Sequence, residues 1–426
     1  MKFYHLISIA AGAAMLLSCS NNVKNPMTME FPVPTEEIAQ VTLTPTQKGY
    51  VEAGNRMAFR LLGQIFKNEN LVCSPLSLQY ALAMTANGAS GQTRQEIIDF
   101  LGCGNDGIDA LNEYNKILLE QLPAVNLDVT LKATDALIVN DRFPLLPSYK
   151  ATVEKNYYAP VDNMDFSDPE KIAARINDWA GRSTDGFIDK LLEPSDISEE
   201  AVAYIMNALY FKAMWAGGEY DPMFNEERTR PEDFRLSDGR VVKVDMMRTH
   251  AKYEYAEMDG YKVLVLPYKG GRFNMYILLP DKNDINGLVD RLQTTKWDDV
   301  LRSLKRDANV YVRLPKFDIE NEYSLAQTLK TLGVERAFRG GQAEFDMMFK
   351  SRGGDYSISD VFQKSKIGVS EWGTEAGSVT FVQMEGAYIP RVKPKEVYFY
   401  IDRPFVFIIG EETSGTILFE GVCTRP

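Results

Sequence analysis

The chain has 426 residues, of which 45% are apolar and 25% are charged. This composition is typical of a globular protein with enough apolar material for a large core, and it excludes disordered and fibrous proteins. The formal net charge of -12 at pH 7 opposes binding to nucleic acid or to anionic lipid, and no cluster of Lys and Arg offsets it.

Residues 1–18 have the pattern of an export signal. Lys2 provides a positive start, and residues 6–17 are an apolar run too short to cross a bilayer as a helix. The sequence Leu-Leu-Ser-Cys that ends at Cys19 resembles the lipobox of bacterial lipoproteins. An ordinary secretory signal with a chance cysteine is the alternative.

The lipobox resemblance implies cleavage before Cys19 and a lipid anchor on that residue. It also implies a flexible tether over residues 19–44, which are polar and contain prolines, followed by a single domain over residues 45–426. We therefore expect an exported, membrane-anchored lipoprotein at the periplasmic face or the cell surface, or a form released outside the cell.

Two short helices are predicted in close succession. Ser74, which a proline follows, is typical of an N-cap and predicts a helix over residues 76–87. Thr93 with Glu96 three positions later forms a capping-box pattern for a second helix, and Gly102 can adopt the left-handed conformation that ends it. These signals place helices early in the chain.

Strands are predicted mainly in the later part of the chain. Residues 201–211 are a nearly unbroken apolar run, which favours a strand at the centre of a sheet that is covered on both faces. Asn207 within this run must find hydrogen-bond partners, because an unpaired buried amide costs about 1–3 kcal/mol. Four further runs predict two hairpins: 263–267 with 273–279, and 405–409 with 416–422. No repeat or linker divides residues 50–370, so the sequence predicts one α+β domain.

A segment near the C-terminus alternates in a way that is unusual for a loop. After the strand-like residues 365–369, the side chains of Thr374, Ala376, Ser378 and Thr380 are small and uncharged at every second position. One face of an added strand could therefore enter a crowded sheet interior, because no bulky side chain would obstruct it. The alternative is a flexible surface loop whose alternation is accidental.

The residue types that most enzymes need are scarce. His occurs twice and His5 belongs to the export signal, so His250, expected at the surface, is the only imidazole beyond it. The patterns H-E-x-x-H, C-x-x-C and G-x-S-x-G do not occur, which excludes common zinc and hydrolase sites. The sequence predicts no enzyme, metal or cofactor. Cys73, Cys103 and Cys423 lack the spacing of a disulfide framework and are predicted to be free and at least partly buried.

Five segments together resemble the serpins, a family of serine protease inhibitors, and they occur in the family's order between about Tyr50 and Pro426. The segments are residues 70–78, 207–215, 314–317, 373–376 and 403–407. The resemblance implies the serpin fold, with about nine helices around three sheets, the largest of which can accept one more strand. It also implies an exposed reactive-centre loop over about residues 371–391.

The function implied by the resemblance is inhibition of serine endopeptidases as a suicide substrate. A protease cleaves the loop and becomes acylated, and the freed N-terminal half inserts into the main sheet before deacylation. This implies a metastable native monomer whose partners are serine proteases, held covalently, with cysteine proteases as a second class. The implied hinge of the loop comprises Glu371, Gly373, Thr374, Glu375, Ala376, Gly377 and Ser378.

The resemblance also implies supporting residues beneath the opening of the main sheet. Ser74, Ser77 and Asn207 match a polar cluster there, and Trp215 matches the aromatic residue where insertion starts. A helix cap, a buried amide and a core tryptophan are ordinary structural roles for these residues as well. Gln363 stands where the family often has His, so it can still bridge strands through its amide, but without pH dependence.

The cleaved bond depends on which end of the loop is used for counting. Counting from Glu371 places the bond between Ala387 and Tyr388, which suits elastase-like proteases, and we favour this assignment. Counting back from Pro404 gives Arg391, which suits trypsin-like proteases. The rival function is a non-inhibitory serpin that serves as a binding or carrier module. Charged or proline residues would be expected at inward hinge positions in that case, and this chain has none.

Overall fold

A computed structural model describes residues 34–102, 106–217, 222–350, 356–374 and 395–426. These residues form nine α-helices and three β-sheets, as the resemblance to the serpins implied. The helices are α1 (Pro45–Ile65), α2 (Pro75–Gly88), α3 (Gly91–Leu101), α4 (Gly107–Gln121), α5 (Pro147–Tyr157), α6 (Pro169–Ser183), α7 (Ile285–Leu292), α8 (Trp297–Arg302) and α9 (Ala326–Thr331).

Most strands lie in the later part of the chain, as predicted. They are β1 (Leu71–Cys73), β2 (Thr130–Asn140), β3 (Val161–Met164), β4 (Ala203–Met214), β5 (Arg230–Arg235), β6 (Val241–Ala251), β7 (Tyr255–Met258), β8 (Tyr261–Pro267), β9 (Phe273–Pro280), β10 (Ala308–Pro315), β11 (Phe317–Ser324), β12 (Asp360–Ser370), β13 (Gly373–Thr374), β14 (Lys395–Tyr400), β15 (Phe405–Glu411) and β16 (Ile417–Cys423). Both predicted hairpins are confirmed, as β8 with β9 and β15 with β16.

The main sheet has the order β11-β12-β13-β4-β2-β3. Strand β4 lies near its centre, as its apolar sequence predicted, because both of its faces are covered. Ile205 and Leu209 belong to the larger apolar core, which includes α2, whereas Tyr204 and Met206 belong to a second cluster with Trp179 of α6. The sheet therefore lies between α2 on one face and α6 on the other.

The other two sheets complete the domain. One has the order β1-β16-β15-β9-β8-β7, and the other has the order β14-β10-β6-β5. His250 lies exposed on β6, where its ring stacks on Tyr311 with centroids 5.4 Å apart. Cys73 and Cys423 are buried and free, as predicted, and Cys103 lies outside the described residues.

Helix α2 begins as its sequence predicted. The Ser74 hydroxyl accepts a hydrogen bond from the Ser77 amide at 3.1 Å, and Pro75 takes the first helical position. Helix α3 ends at Gly102, whose φ of +69° is the left-handed conformation expected there.

The capping box predicted for α3 is wrong. The helix begins at Gly91, before the predicted cap, and Thr93 and Glu96 bind other parts of the chain. The Thr93 hydroxyl accepts from the Glu344 amide at 3.0 Å, and the Glu96 carboxylate accepts from the Glu335 amide at 2.8 Å. These residues tie α3 to the segment after α9 instead of capping their own helix.

The segment ahead of α1 lies against the domain. Val41 is buried in the core, and the Ile38 amide donates to the Ala124 carbonyl at 2.9 Å. The ordered contacts of the domain therefore begin before residue 45, inside the range 19–44 that the sequence assigned to a tether. Among the described residues, no helix is long and apolar enough to cross a membrane.

Candidate functional site

The start of the predicted loop already forms part of the main sheet. Strand β13 lies between β12 and β4 and pairs with both of them in antiparallel register. Gly373 lies opposite Met214, and Thr374 lies opposite Ala213 on one side and Val369 on the other. Gly373 and Thr374 of the hinge therefore occupy one end of the gap between two strands of the sheet.

The backbone at Gly373 admits only glycine. Its φ is +144°, and a Cβ atom built there would lie 2.1 Å from the Ala213 carbonyl oxygen and 2.8 Å from the Met214 Cα. Both neighbours are backbone atoms of β4, so no rotamer change could relieve the overlap. A residue with a side chain would force β13 away from β4.

Two aromatic residues, Tyr268 and Trp215, fix the position of β13. Thr374 is 2% exposed, and its hydroxyl lies 2.6 Å from the hydroxyl of Tyr268. The ring of Tyr268 stacks on Trp215 with centroids 4.7 Å apart, and the Trp215 indole N–H donates to the Ser370 carbonyl at 2.8 Å. Burial raises the pKa of Tyr268 well above its ordinary value, so the phenol stays neutral. Trp215 thus lies beside β13, at one end of the gap.

Glu371 anchors the turn between β12 and β13. Its side chain is 3% exposed, accepts a hydrogen bond from the Thr229 hydroxyl at 2.7 Å and forms an ion pair with Lys316 at 2.9 Å. Burial alone would raise the pKa of this carboxyl, but the bonds from Thr229 and Lys316 outweigh it, so the pKa lies below the ordinary value. Next to it, the Trp372 indole N–H donates to the Glu226 carboxylate at 2.8 Å.

Farther along the two strands, towards the N-terminal end of β4, no gap remains, because β12 and β4 pair directly with each other. This parallel pairing joins Asp360–Lys364 to Tyr204–Ala208. Gln363 lies level with Asn207 in this register. Gln363 bonds to Ser74 at the start of α2, and Asn207 lies on the same face of β4 as Ile205 and Leu209, the face that α2 covers. The strands are thus separated by β13 at one end and joined at the other, and the polar residues lie in the joined part.

Gln363 bridges two elements, but not the two that the sequence suggested. Its side-chain oxygen accepts from the Ser74 amide at 3.1 Å, and its side-chain nitrogen donates to the Ser74 carbonyl at 2.8 Å. The Ser74 hydroxyl donates to the Leu418 carbonyl at 2.9 Å. Gln363 therefore fastens β12 to the start of α2, and Ser74 fastens that start to β16.

The prediction that Asn207 finds hydrogen-bond partners is wrong for the described residues. Neither side-chain atom of Asn207 is paired within them, and the Ser77 hydroxyl oxygen is unpaired as well. Two residues that the sequence analysis missed lie in the same buried region: Asp135, directly opposite Asn207 on β2, and Tyr80 of α2. A carboxylate inside an apolar strand is the signal that identifies Asp135 in the sequence.

Several predicted site residues lie outside the described residues. They are Cys19, Glu375, Ala376, Gly377, Ser378, Ala387, Tyr388 and Arg391. Those that are described fall into two groups. Glu371, Gly373, Thr374 and Trp215 meet at β13, whereas the others lie in the joined part of the gap or under it.

Comparisons with known proteins agree with this architecture. The family model described as Serpin (serine protease inhibitor) matches residues 52–426. An uncharacterised serpin-like protein of Thermococcus kodakarensis is 31% identical, with 96% of this chain and 95% of that protein covered. Serpin-Z7 of Hordeum vulgare is 32% identical, with 90% and 98% covered. The crystal structure of the thermophilic serpin tengpin in its native state has a TM-score of 0.81 at 28% identity and covers 92% of this chain and 97% of its own.

Proposed function

We propose, from the premise that this chain belongs to the serpin family, that it inhibits serine endopeptidases as a suicide substrate. In this proposal a protease cleaves the loop that follows β13. The freed segment then inserts between β12 and β4 and carries the acylated protease with it. The observation that carries the proposal is the position of β13, which has already entered the gap through which the rest of the loop would follow.

The register of β13 supports continued insertion. Each further loop residue would pair with the preceding residue of β4 and of β12, because both pairings are antiparallel. Counting on from Thr374, residue 380 would reach Asn207 on β4 and Gln363 on β12 at the same step. Asn207 and Gln363 already lie opposite each other, so the inserted strand could pair in register with β4 and with β12 at the same time.

The side chains of the loop suit this path. Thr374 faces the larger core beside Ala213 and Val369, so every second residue after it would face the same way. Those residues are Ala376, Ser378 and Thr380. All are small and uncharged, so their burial requires no paired charge and little space.

Insertion would exchange one set of backbone hydrogen bonds for a larger one. The parallel pairing of Asp360–Lys364 with Tyr204–Ala208 would be lost. The new strand would pair along both of its edges, and each net hydrogen bond contributes about 0.5–1.5 kcal/mol. The native chain would therefore be less stable than the cleaved, inserted chain, which is the driving force that the mechanism requires.

The proposed target is an elastase-like protease that cleaves between Ala387 and Tyr388. This bond follows from counting along the loop from Glu371, at which insertion starts. Cleavage after Arg391 by a trypsin-like protease is the alternative. Mass spectrometry of the released C-terminal peptide distinguishes them, because the peptide begins with Tyr388 in the first case and with Val392 in the second.

Incubation with an elastase-like and with a trypsin-like serine protease, followed by denaturing electrophoresis, tests inhibition. A complex that survives denaturation supports the proposal, and a protease whose nucleophilic serine is replaced by alanine is the matched control. Cleaved chain without any complex, for every protease tried, would refute inhibition and favour a binding or carrier role. As a second test, the cleaved chain must unfold at a higher temperature than the intact chain.

The proposed location is a membrane, to which a lipid on Cys19 anchors the chain. The support is the lipobox-like sequence that ends at this residue. Metabolic labelling with a radioactive fatty acid should mark the wild-type chain and leave Cys19→Ser unmarked. Equal labelling of both would contradict the anchor.

A further inference from the structure

Four polar side chains form a buried layer between α2 and the main sheet. They are Ser77 and Tyr80 of α2, Asp135 of β2 and Asn207 of β4, and none is more than 2% exposed. We refer to them as the polar layer. Through Asn207 it reaches the joined part of the gap, and it is defined without any residue of the loop.

The geometry brings the four side chains together. Asp135 and Asn207 are direct cross-strand neighbours on one face of the sheet. Ser77 and Tyr80 are three residues apart on α2, so they lie on the same side of that helix. Helix α2 packs directly on both β2 and β4, the strands that carry Asp135 and Asn207. The layer is therefore continuous from the helix to the sheet.

Six polar atoms in this layer have no hydrogen-bond partner among the described residues. They are the Ser77 Oγ, the Tyr80 hydroxyl oxygen, both carboxyl oxygens of Asp135, and the Oδ1 and Nδ2 atoms of Asn207. Buried polar atoms in native proteins are nearly always paired, and buried water supplies the partner where protein atoms do not. Six unpaired atoms in one buried layer therefore indicate a bound polar ligand. Water is the smallest ligand that can both donate hydrogen bonds to such atoms and accept hydrogen bonds from them.

Burial determines the protonation of Asp135. The titratable group near it is Tyr80 of α2, whose pKa it helps to raise, and β4 contributes the neutral Asn207 directly opposite. Burial raises the pKa of the Asp135 carboxyl well above its ordinary value, and no cation of the described residues counteracts this shift. An ionised carboxylate here would be buried without a counter-ion, which is far less favourable than the neutral acid.

We propose that the polar layer is a buried hydration site, in which ordered water molecules join Ser77, Tyr80, Asp135 and Asn207, and in which Asp135 is a neutral carboxylic acid at pH 7. A neutral acid both donates and accepts, so water can connect it to the Asn207 amide and to the two hydroxyls. The proposal concerns the intact native chain. It does not rest on protease inhibition, so either proposal can fail without the other.

Infrared difference spectroscopy of the full chain tests the acid form. The wild-type spectrum minus that of Asp135→Asn should show the carbonyl band of a protonated carboxyl at pH 7. Asp141→Asn is the matched control, because Asp141 is exposed just after the same strand, and its difference spectrum should lack that band. Subtraction of the two spectra is needed because Glu420 is a second buried carboxyl and adds its own band. Burial raises the pKa of Glu420 to about 8.

Denaturant unfolding gives a second measure of the same proton. The folded wild type keeps the proton of Asp135 while the unfolded chain releases it. Between pH 5 and pH 7 the unfolding equilibrium constant of the wild type should thus rise about tenfold per pH unit relative to Asp135→Asn. A constant ratio, or no carboxyl band in the difference spectrum, overturns the acid form of Asp135.

A high-resolution crystal structure of the wild-type chain tests the water without any variant. Ordered solvent within hydrogen-bond distance of Asp135 and Asn207 is the expected result. Continuous direct hydrogen bonds among the four side chains, with no solvent density, would overturn the hydration site.

Discussion

Gly373→Ala should detach β13 from the main sheet. The new Cβ atom would lie 2.1 Å from the Ala213 carbonyl oxygen, whereas real Cβ atoms essentially never approach closer than 3.0 Å, so β13 would have to move by about 0.9 Å, the difference between the two. A displacement of this size breaks the backbone hydrogen bonds that hold the two-residue strand to β4. It weakens those to β12 as well.

The magnitude follows from the bonds that β13 makes. The strand has two paired positions with β12 and two with β4. Loss of two to four backbone hydrogen bonds costs about 2–4 kcal/mol. If insertion has to begin by forming these bonds again, its barrier rises by the same amount, and insertion slows by about 30- to 1000-fold. Deacylation would then be faster than insertion, so the protease would cleave the chain and dissociate from it as active enzyme.

The assay is the yield of covalent complex per cleaved chain, measured by denaturing electrophoresis with the same protease at matched concentrations. Gly239→Ala is the control, because Gly239 also has a positive φ, +86°, but nothing lies within 4 Å of its Cβ position. We expect the complex yield to fall at least tenfold for Gly373→Ala and to stay near wild type for Gly239→Ala. Equal yields for all three proteins would refute the role that we assign to β13.

Three further predictions concern stability and hinge anchoring. Glu371→Gln removes the ion pair with Lys316 and should lower the free energy of unfolding by about 1–3 kcal/mol at pH 7. Because the pKa of Glu371 lies below its ordinary value of 4.5, this difference should shrink as the pH falls below 4.5 and vanish once the pH lies below the lowered pKa of the folded chain. Tyr268→Phe keeps the aromatic ring but removes the hydroxyl bonded to Thr374, so hydrogen–deuterium exchange should speed up in the peptide that contains Thr374. Glu420→Gln should remove a pH-dependent loss of stability: burial raises the pKa of Glu420 from 4.5 to about 8, so only the unfolded chain releases that proton between these values. Over this range the wild type should lose up to about 5 kcal/mol relative to the variant.

Each of these predictions has an outcome that contradicts it. For Glu371→Gln it is an unfolding midpoint equal to that of the wild type at pH 7. For Tyr268→Phe it is unchanged exchange in the hinge peptide, with peptides from β9 serving as the internal control. For Glu420→Gln it is a stability difference from the wild type that stays constant between pH 4.5 and pH 8.

Local signals in the sequence predicted many elements correctly. Ser74 begins α2 and Gly102 ends α3, because each effect depends only on a residue and its immediate neighbours. The apolar run at 201–211 predicted a strand covered on both faces. Its composition shows that it is buried, but not which elements cover it.

Local signals failed where a side chain binds a distant part of the chain. Thr93 and Glu96 have the spacing of a capping box, yet amides of residues 335 and 344 are their partners. Asp135 is a further case. Its role depends on a cross-strand neighbour that is 72 positions away in the chain, as the register of β2 with β4 shows.

The sequence by itself determined the family, the small alternating side chains after Gly373 and the residues from which the site is built. Only the tertiary structure decided that β13 already lies between β12 and β4, that Lys316 neutralises Glu371, and that the acid on β2 lies beside Asn207. The reason is physical. Alternation and capping are properties of neighbouring residues, whereas strand register and the pairing of buried charges depend on how distant segments pack against one another.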